Sequence, residues 1–385
     1  SHLGGAMLLL IAVARLMGEA ALGDYAYVIA ITAVFVPILD LGLNTRVIRA
    51  VAAGEGVLAL QDAVAFKMRF GVIAVMLMLV CSWWAGKPTD VIWAVLLVGV
   101  STLAMSVGDV FNAVFKGLQR ADYSALLVGG AYVCLTGLGI AAMVFGFGLL
   151  GIALAYAVCR IGFMFAAWIL LGRVGFVVEK GGVRWSVVLA GVQLMPAVFF
   201  IGVLLNINFI TADALGEGAD SGVYAIGYRV GAALFVLVSA SMEGVLPALV
   251  GVSDNRGAFR DLFWRCCGLF LVGGVVGVGL IQAFGYWAVV WIFGLEYVGA
   301  VTAVHVLGWI LPPLLVCAVA HTALLALGRE GEGFGWMVGL VGVGTLFGGF
   351  GFWWQGAMGA AMAPTVTGWL FACLLGGRVW RLLAR

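Results

Sequence analysis

Along the chain, runs of about twenty apolar residues alternate with short stretches that carry most of the charges and turn-forming residues. A run of that length suits an α-helix, which crosses a hydrocarbon core of about 30 Å with about twenty residues. Nothing in the pattern resembles the alternating strands of a barrel. Divided at its charged and Gly/Pro breaks, the sequence predicts spans at 3–17, 24–43, 68–86, 91–115, 123–146, 149–172, 186–211, 222–250, 262–283, 300–327, 334–354 and 356–377. The first holds fifteen residues, about 22 Å of helix. That is short of a crossing and predicts native residues before it. The stretch 44–67, with VIRAVAAGEGVLALQDAVAF, reads as a connection, part of it an amphipathic helix along the membrane interface. The fold class is an all-α polytopic membrane protein of twelve transmembrane helices.

Composition agrees with the pattern. Of 385 residues 64% are hydrophobic and 10% charged, with a mean hydropathy of +1.18. A soluble domain carries about 25% charged residues to hydrate its surface, which this chain cannot do. Its 58 glycines suit closely packed membrane helices. The seven cysteines, Cys81, Cys134, Cys159, Cys266, Cys267, Cys317 and Cys373, lie in or beside apolar runs without a CxxC pair. They read as small core residues rather than disulfide or metal ligands. No cleavable signal with a basic leader is expected, and no nucleic-acid partner.

Charge then tests the span count. With both termini in the cytoplasm, the cytoplasmic connections collect Arg46, Arg49, Lys67, Arg69, Lys116, Arg120, Arg173, Lys180, Arg184, Arg256, Arg260, Arg265 and Arg329, and the C-terminal tail adds Arg378, Arg381 and Arg385. The external connections hold only Lys87 among the cations, and the acids Glu19, Asp24, Asp90, Asp213, Glu217, Asp220 and Glu296. This asymmetry is the positive-inside signature of a cytoplasmic (inner) membrane protein. Arg15, Arg160 and Arg229 fall inside spans.

An internal echo organises the spans. GDYA at 23–26 and GVYA at 222–225 each follow a Gly-Glu pair, Gly18-Glu19 and Gly216-Glu217. GLLGIALA at 148–155 and GAMGAAMA at 356–363 share a G-x-x-G-x-A-x-A frame. Offsets of 199 and 208 residues imply a six-span period. The predicted organisation is an N-terminal lobe at 1–172, a cytoplasmic linker at 173–185 and a C-terminal lobe at 186–385. Six is even, so the two six-helix bundles share one orientation about a pseudo-two-fold along the membrane normal. Parallel repeats of this kind place a substrate site between halves and suit transport by alternating access.

The same residues carry a resemblance. RLMGEAALGDYAYVIAITAVFVPILDLGL (15–43), LNINFITADALGEGADSGVYAIGYRV (205–230) and IFGLEYVGA (292–300) resemble segments of lipid-linked oligosaccharide flippases. These form the O-antigen and polysaccharide exporter branch of the multidrug/oligosaccharidyl-lipid/polysaccharide (MOP) superfamily. The resemblance implies a V-shaped pair of bundles around a central, often cationic cavity. It also implies a cargo of undecaprenyl-diphosphate-linked sugars moved from the cytoplasmic to the outer leaflet. Membrane lipids and the polysaccharide assembly machinery are the other implied partners.

Charges inside spans are the candidate chemistry, since a charge in a bilayer is costly and faces a cavity or a partner. Counted from the external ends, Arg160 lies about 16 Å deep and Arg229 about 10 Å deep. A guanidinium fork suits a diphosphate; pairing with a neighbouring acid or snorkelling is the alternative for Arg160. Arg15, at the mouth of span one, reads first as a snorkelling residue. Gln193, Asn206 and Asn208 on span seven read first as interhelical hydrogen bonds and second as contacts to sugar hydroxyls. Asp40, Asp109 and Glu243 are candidates for coupling to H⁺ or Na⁺, against ion pairs or helix-end contacts. Asn112 extends the polar face of Asp109. Pro37, Pro196, Pro247, Pro312, Pro313 and Pro364 fall within spans, the first five as candidate hinges or static kinks. His305 and His321, sixteen residues apart on one predicted helix, would stand roughly 24 Å apart and cannot share a metal. No metal, other cofactor or catalytic residue is expected, and GGVVGVGLI (273–281) reads as helix packing. A multidrug/cation antiporter of the same superfamily is the nearest rival, and its cavity would be more acidic. A membrane enzyme of polysaccharide assembly would need a larger external loop than the longest predicted, 284–299.

Overall fold

The computed structural model describes residues 2–176, 182–185, 188, 197–215, 226–228, 238, 241–242, 244–329, 334–355 and 357–383. Among these all regular structure is helical. Eight segments are long and apolar enough to cross a membrane. The chain divides into Ser1–Met195 (unit 1) and Pro196–Arg385 (unit 2).

Unit 1 contains α1 (His2–Asp40), α2 (Leu43–Ala52), α3 (Gly56–Trp84), α4 (Thr89–Gly117), α5 (Ala121–Val144) and α6 (Gly148–Arg173). The last three match their predicted spans to within two residues. α1 is two arms joined at Gly18, whose φ of 82° and ψ of −177° suit glycine and no helix. Gly5 lies against Tyr132 and Thr136, and a Cβ at Gly139 would strike Leu9, so the first arm runs with α5. Tyr27 bonds Ser82 and Asp40 meets Lys67, so the second arm runs against α3. The predicted reversal is therefore made by one residue, without the expected loop.

α2 follows a break in which Leu41 and Gly42 both take positive φ. It turns Leu43, Val47 and Val51 inward against α3 and α4 and leaves Arg49 exposed. α3 corrects the sequence reading. It begins at Gly56 rather than at 68, so Lys67 and Arg69 lie on a helix, not in a connection. Mixed polar and apolar positions made that segment read as a connection with an interfacial helix; its Asp62 and Lys67 are buried and paired (below), which removes the cost that polar side chains otherwise impose on a helix interior. α4 is the central element: Val107, Val110, Phe111, Val114 and Phe115 pack with residues of α2, α3 and α6. By contrast α3 turns Val72, Ile73, Met76, Leu77 and Val80 outward, each about half exposed. Such a stripe suits hydrocarbon, not water, and the exposed Trp83, Trp84 and Trp93 at its rim suit a membrane interface.

Unit 2 contains α7 (Ala197–Leu215), α8 (Arg256–Ile292), a 3₁₀ turn (Leu295–Gly299), α9 (Ala300–Gly308), α10 (Leu311–Ala326), α11 (Phe334–Gln355) and α12 (Ala357–Leu383). α10 lies at its centre, buried at thirteen of its sixteen positions and packed on α8, α12 and α7. Three glycines of α8 are spacers: a Cβ at Gly274, Gly277 or Gly285 would meet Pro312, Leu311 or His305, whereas Gly273 and Gly279 face open space. Those pairings also make α8 antiparallel to α9 and α10, and confirm helix packing as the role of GGVVGVGLI.

Three expectations fail in unit 2. The predicted connection 284–299 is mostly helix, since α8 continues to Ile292. The predicted span 300–327 breaks at Trp309–Ile310, so His305 and His321 stand on different helices. Pro312 and Pro313 occupy the first turn of α10, where the missing N–H costs nothing, and so bend no helix interior. Pro37 and Pro364 are inside α1 and α12. Of the cysteines, Cys159, Cys267 and Cys317 are buried, but Cys81, Cys134 and Cys373 lie on exposed helix faces. In a membrane protein the outer face is as apolar as the core, so apolar context does not separate them.

Candidate functional site

The charged interior of unit 1 follows from helical spacing. Tyr156 and Arg160 are four residues apart on α6, and Met105 and Asp109 four apart on α4, so each pair shares a face. α4, α5 and α6 enclose a cavity of about 50 Å³ lined by Asp109, Arg160 and Tyr132 with Met105, Leu135 and Phe163. Arg160 Nη1 donates to Thr102 Oγ1 at 2.7 Å, and its guanidinium carbon lies 4.6 Å from the Tyr156 ring centre. The Tyr156 and Tyr25 hydroxyls are hydrogen-bonded at 3.0 Å. The second arm of α1 is thereby joined through Tyr156 and Arg160 to α4.

The neighbouring acid does not neutralise Arg160. Among the described residues neither an ion pair nor a hydrogen bond reaches the Asp109 carboxylate, and Thr102 is the one protein acceptor of Arg160. Arg160 is half-buried, with N–H groups to spare. A permanent cation held by a hydroxyl and a ring, beside a small and largely apolar cavity, can take an oxyanion in a bidentate grip. Asn112, one turn along α4, is buried with its Oδ1 unpaired among the described residues.

One turn before Asp109, the Ser106 carbonyl accepts from Lys67. The Lys67 ammonium is fully buried and donates to Asp40 Oδ1 at 3.2 Å, Asn44 Oδ1 at 2.9 Å and Ser106 O at 3.1 Å. All three of its protons are used, and it fastens α1, α2, α3 and α4 together. Asp40, a candidate for ion coupling, is thus an ion-pair partner in this structure. The sequence reading missed Lys67 by placing it in a cytoplasmic connection. Its signal was the flanking apolar sequence AFKMRF (65–70), which continues a helix.

Arg15 is exposed on the first arm of α1, three residues before Gly18. In unit 2, Asn206 donates to Gly202 O at 2.6 Å and accepts from the Tyr228 hydroxyl, as expected of an interhelical bond. Asn208 is buried against Gly348 with no hydrogen-bond partner among the described residues. Pro247 is exposed on helical residues 244–250. Gln193, Pro196, Arg229 and Glu243 lie outside the described residues.

Comparison with known proteins follows this geometry. Residues 3–252 match the family model described as polysaccharide biosynthesis protein. No curated protein sequence matches the chain. The inward-facing structure of a multidrug resistance MATE family transporter of the MOP superfamily superposes with a TM-score of 0.71 at 15% identity, covering 100% of this chain and 95% of that one. The outward-facing structure of a MATE family transporter gives 0.67 at 15% identity, with 100% and 93% covered. A MOP superfamily transporter from Pyrococcus furiosus, described as having a binding pocket of reverse polarity that suggests a different function, gives 0.64 at 15% identity, with 99% and 92% covered. At these identities the likeness is one of fold.

Proposed function

Since the chain belongs to the polysaccharide biosynthesis protein family and to the MOP superfamily of transporters, we propose that it moves a lipid-diphosphate-linked oligosaccharide across the cytoplasmic membrane by alternating access. The observation that carries this reading is Arg160, a guanidinium deep in an apolar bundle, bound to Thr102 and not to an acid. A diphosphate crossing the membrane loses hydration, and fixed guanidinium donors replace it. Arg229 is a second donor in this proposal, and Asn206 and Asn208 are contacts for sugar. Asp109 is the group through which H⁺ or Na⁺ gradients would drive the cycle, and Arg15 stands at the entrance. Both termini face the cytoplasm, and the polysaccharide assembly machinery supplies and removes the cargo.

The test is genetic and chemical. Deleting the gene should abolish surface polysaccharide and accumulate lipid-linked repeat units on the inner leaflet; Arg160→Ala should reproduce this, and Arg160→Lys should restore it in part. Full export by Arg160→Ala removes that residue from the mechanism. Unchanged polysaccharide on deletion, with new sensitivity to cationic drugs, identifies a multidrug antiporter instead.

A further inference from the structure

A second cationic site lies outside the Arg160 cavity, at the end of unit 1 that carries α2. Arg46, Arg49 and Arg184 line an open cleft of about 810 Å³, together with Gly54, Glu55, Val57 and Leu58. Three guanidinium groups face one carboxylate there. They come from separate parts of the chain: Arg46 and Arg49 from α2, and Arg184 from the segment that follows α6. The apolar part of the rim is unusual for a cleft facing water. Val57 is 47% exposed and Leu58 58%, with Trp185 at 58% beside Arg184.

The position of Arg184 is built, not incidental. Its Nε and Nη2 donate to Asp62 Oδ2 at 2.9 and 2.6 Å, and Asp62 is buried on α3. Asp62 holds the guanidinium more firmly charged than usual. Trp185 packs edge-on against Phe70 with ring centres 5.6 Å apart. One edge of Arg184 is therefore anchored on the protein while half of its side chain remains exposed at the cleft.

We propose that this cleft binds the phosphate of an anionic phospholipid headgroup. Two features favour lipid-borne over soluble phosphate. The arginines share the cleft with the exposed aliphatic side chains of Val57 and Leu58, against which a lipid glycerol and upper acyl chain would lie. Clustered Arg beside a membrane segment is also the chemistry that recognises anionic headgroups. A phosphate seated there bridges α2 to residues 182–185, so an occupied site secures to unit 1 the segment that leads on to unit 2. This site is separate from the transport proposal and stands whatever the cargo is.

Native mass spectrometry of the delipidated full-length protein, titrated with dioleoyl phosphatidylglycerol, dioleoyl phosphatidylcholine or inorganic phosphate, tests it. The wild type should retain phosphatidylglycerol in strong preference to phosphatidylcholine, and inorganic phosphate at millimolar concentration should not displace it. Arg46→Gln/Arg49→Gln should lower affinity for phosphatidylglycerol about tenfold while the protein keeps a cooperative unfolding transition. Arg46→Lys/Arg49→Lys should keep most of it, and Val57→Ser/Leu58→Ser should weaken it less than the glutamine pair does. Equal retention of the two lipids, displacement by inorganic phosphate, or undiminished binding by the glutamine pair overturns the proposal.

Discussion

The two units bury different kinds of polar group. Among the described residues unit 1 encloses ions: Lys67 with Asp40, Asp62 with Arg184, and Arg160 on Thr102. Unit 2, among the described residues, encloses mostly neutral groups, Asn206, Asn208, His321, Thr322 and Thr367, with Asp213 the buried carboxylate. Removing one member of a buried ion pair strands the other, whereas a buried amide or imidazole can give way to an apolar group at small cost. Polar contacts therefore fix helix positions in unit 1, and in unit 2 close backbone packing does more of that work.

The largest expected effect breaks the first half of this contrast. Lys67→Ala should cost about 3–5 kcal/mol in denaturant unfolding of the detergent-solubilised protein, because Asp40 and Asn44 lose their shared donor. Lys67→Met combined with Asp40→Asn should recover most of that loss. Failure to recover would show that the ammonium's hydrogen bonds to Asn44 and Ser106 carry the stability, beyond its compensation of Asp40.

The next effect concerns the repeated G-x-x-G-x-A-x-A frame. Its second glycine has one role in both units, at the crossing with the preceding helix. A Cβ at Gly151 would meet the Phe147 and Ala142 side chains; a Cβ at Gly359 would strike the Gly351 backbone of α11. A Cβ atom moves only with its own backbone, so both sites are closed, and Gly359, set against a carbonyl group, is the tighter. Gly359→Ala should therefore cost about 1–3 kcal/mol, with Gly151→Ala less costly but still destabilising, in the same unfolding assay.

The smallest effect sharpens the contrast from the other side. His321 is buried in the centre of unit 2 with neither ring nitrogen bonded among the described residues. His321→Leu should change stability by less than about 1 kcal/mol in either direction. A large loss, or loss of polysaccharide export without unfolding, would give that imidazole a partner or a role in transport.

These contrasts also explain what the sequence made legible. α4, α5, α6 and α11 end where charges, Gly and Pro interrupt long apolar runs, so their bounds could be read directly. α3 was shortened because polar positions such as Asp62 and Lys67 suit a connection or an interfacial helix until their partners, distant in sequence, are known. The split between α9 and α10 was written in Pro312-Pro313, which mark a helix start as readily as a bend. Arg160 could be found by counting its depth. That Thr102 rather than Asp109 would hold it depends on how α4 and α6 are rotated against each other, which no single-helix pattern states.

The pairing of Asp62 with Arg184 spans 122 residues, and this sets an order for biogenesis. As the chain leaves the ribosome, three further helices, α4, α5 and α6, follow α3 before its counterion is synthesised, so unit 1 is not electrically closed until the segment after α6 emerges. A split gene cut after Arg173 would leave Asp62 uncompensated, while one cut after Val188 would carry its own clasp.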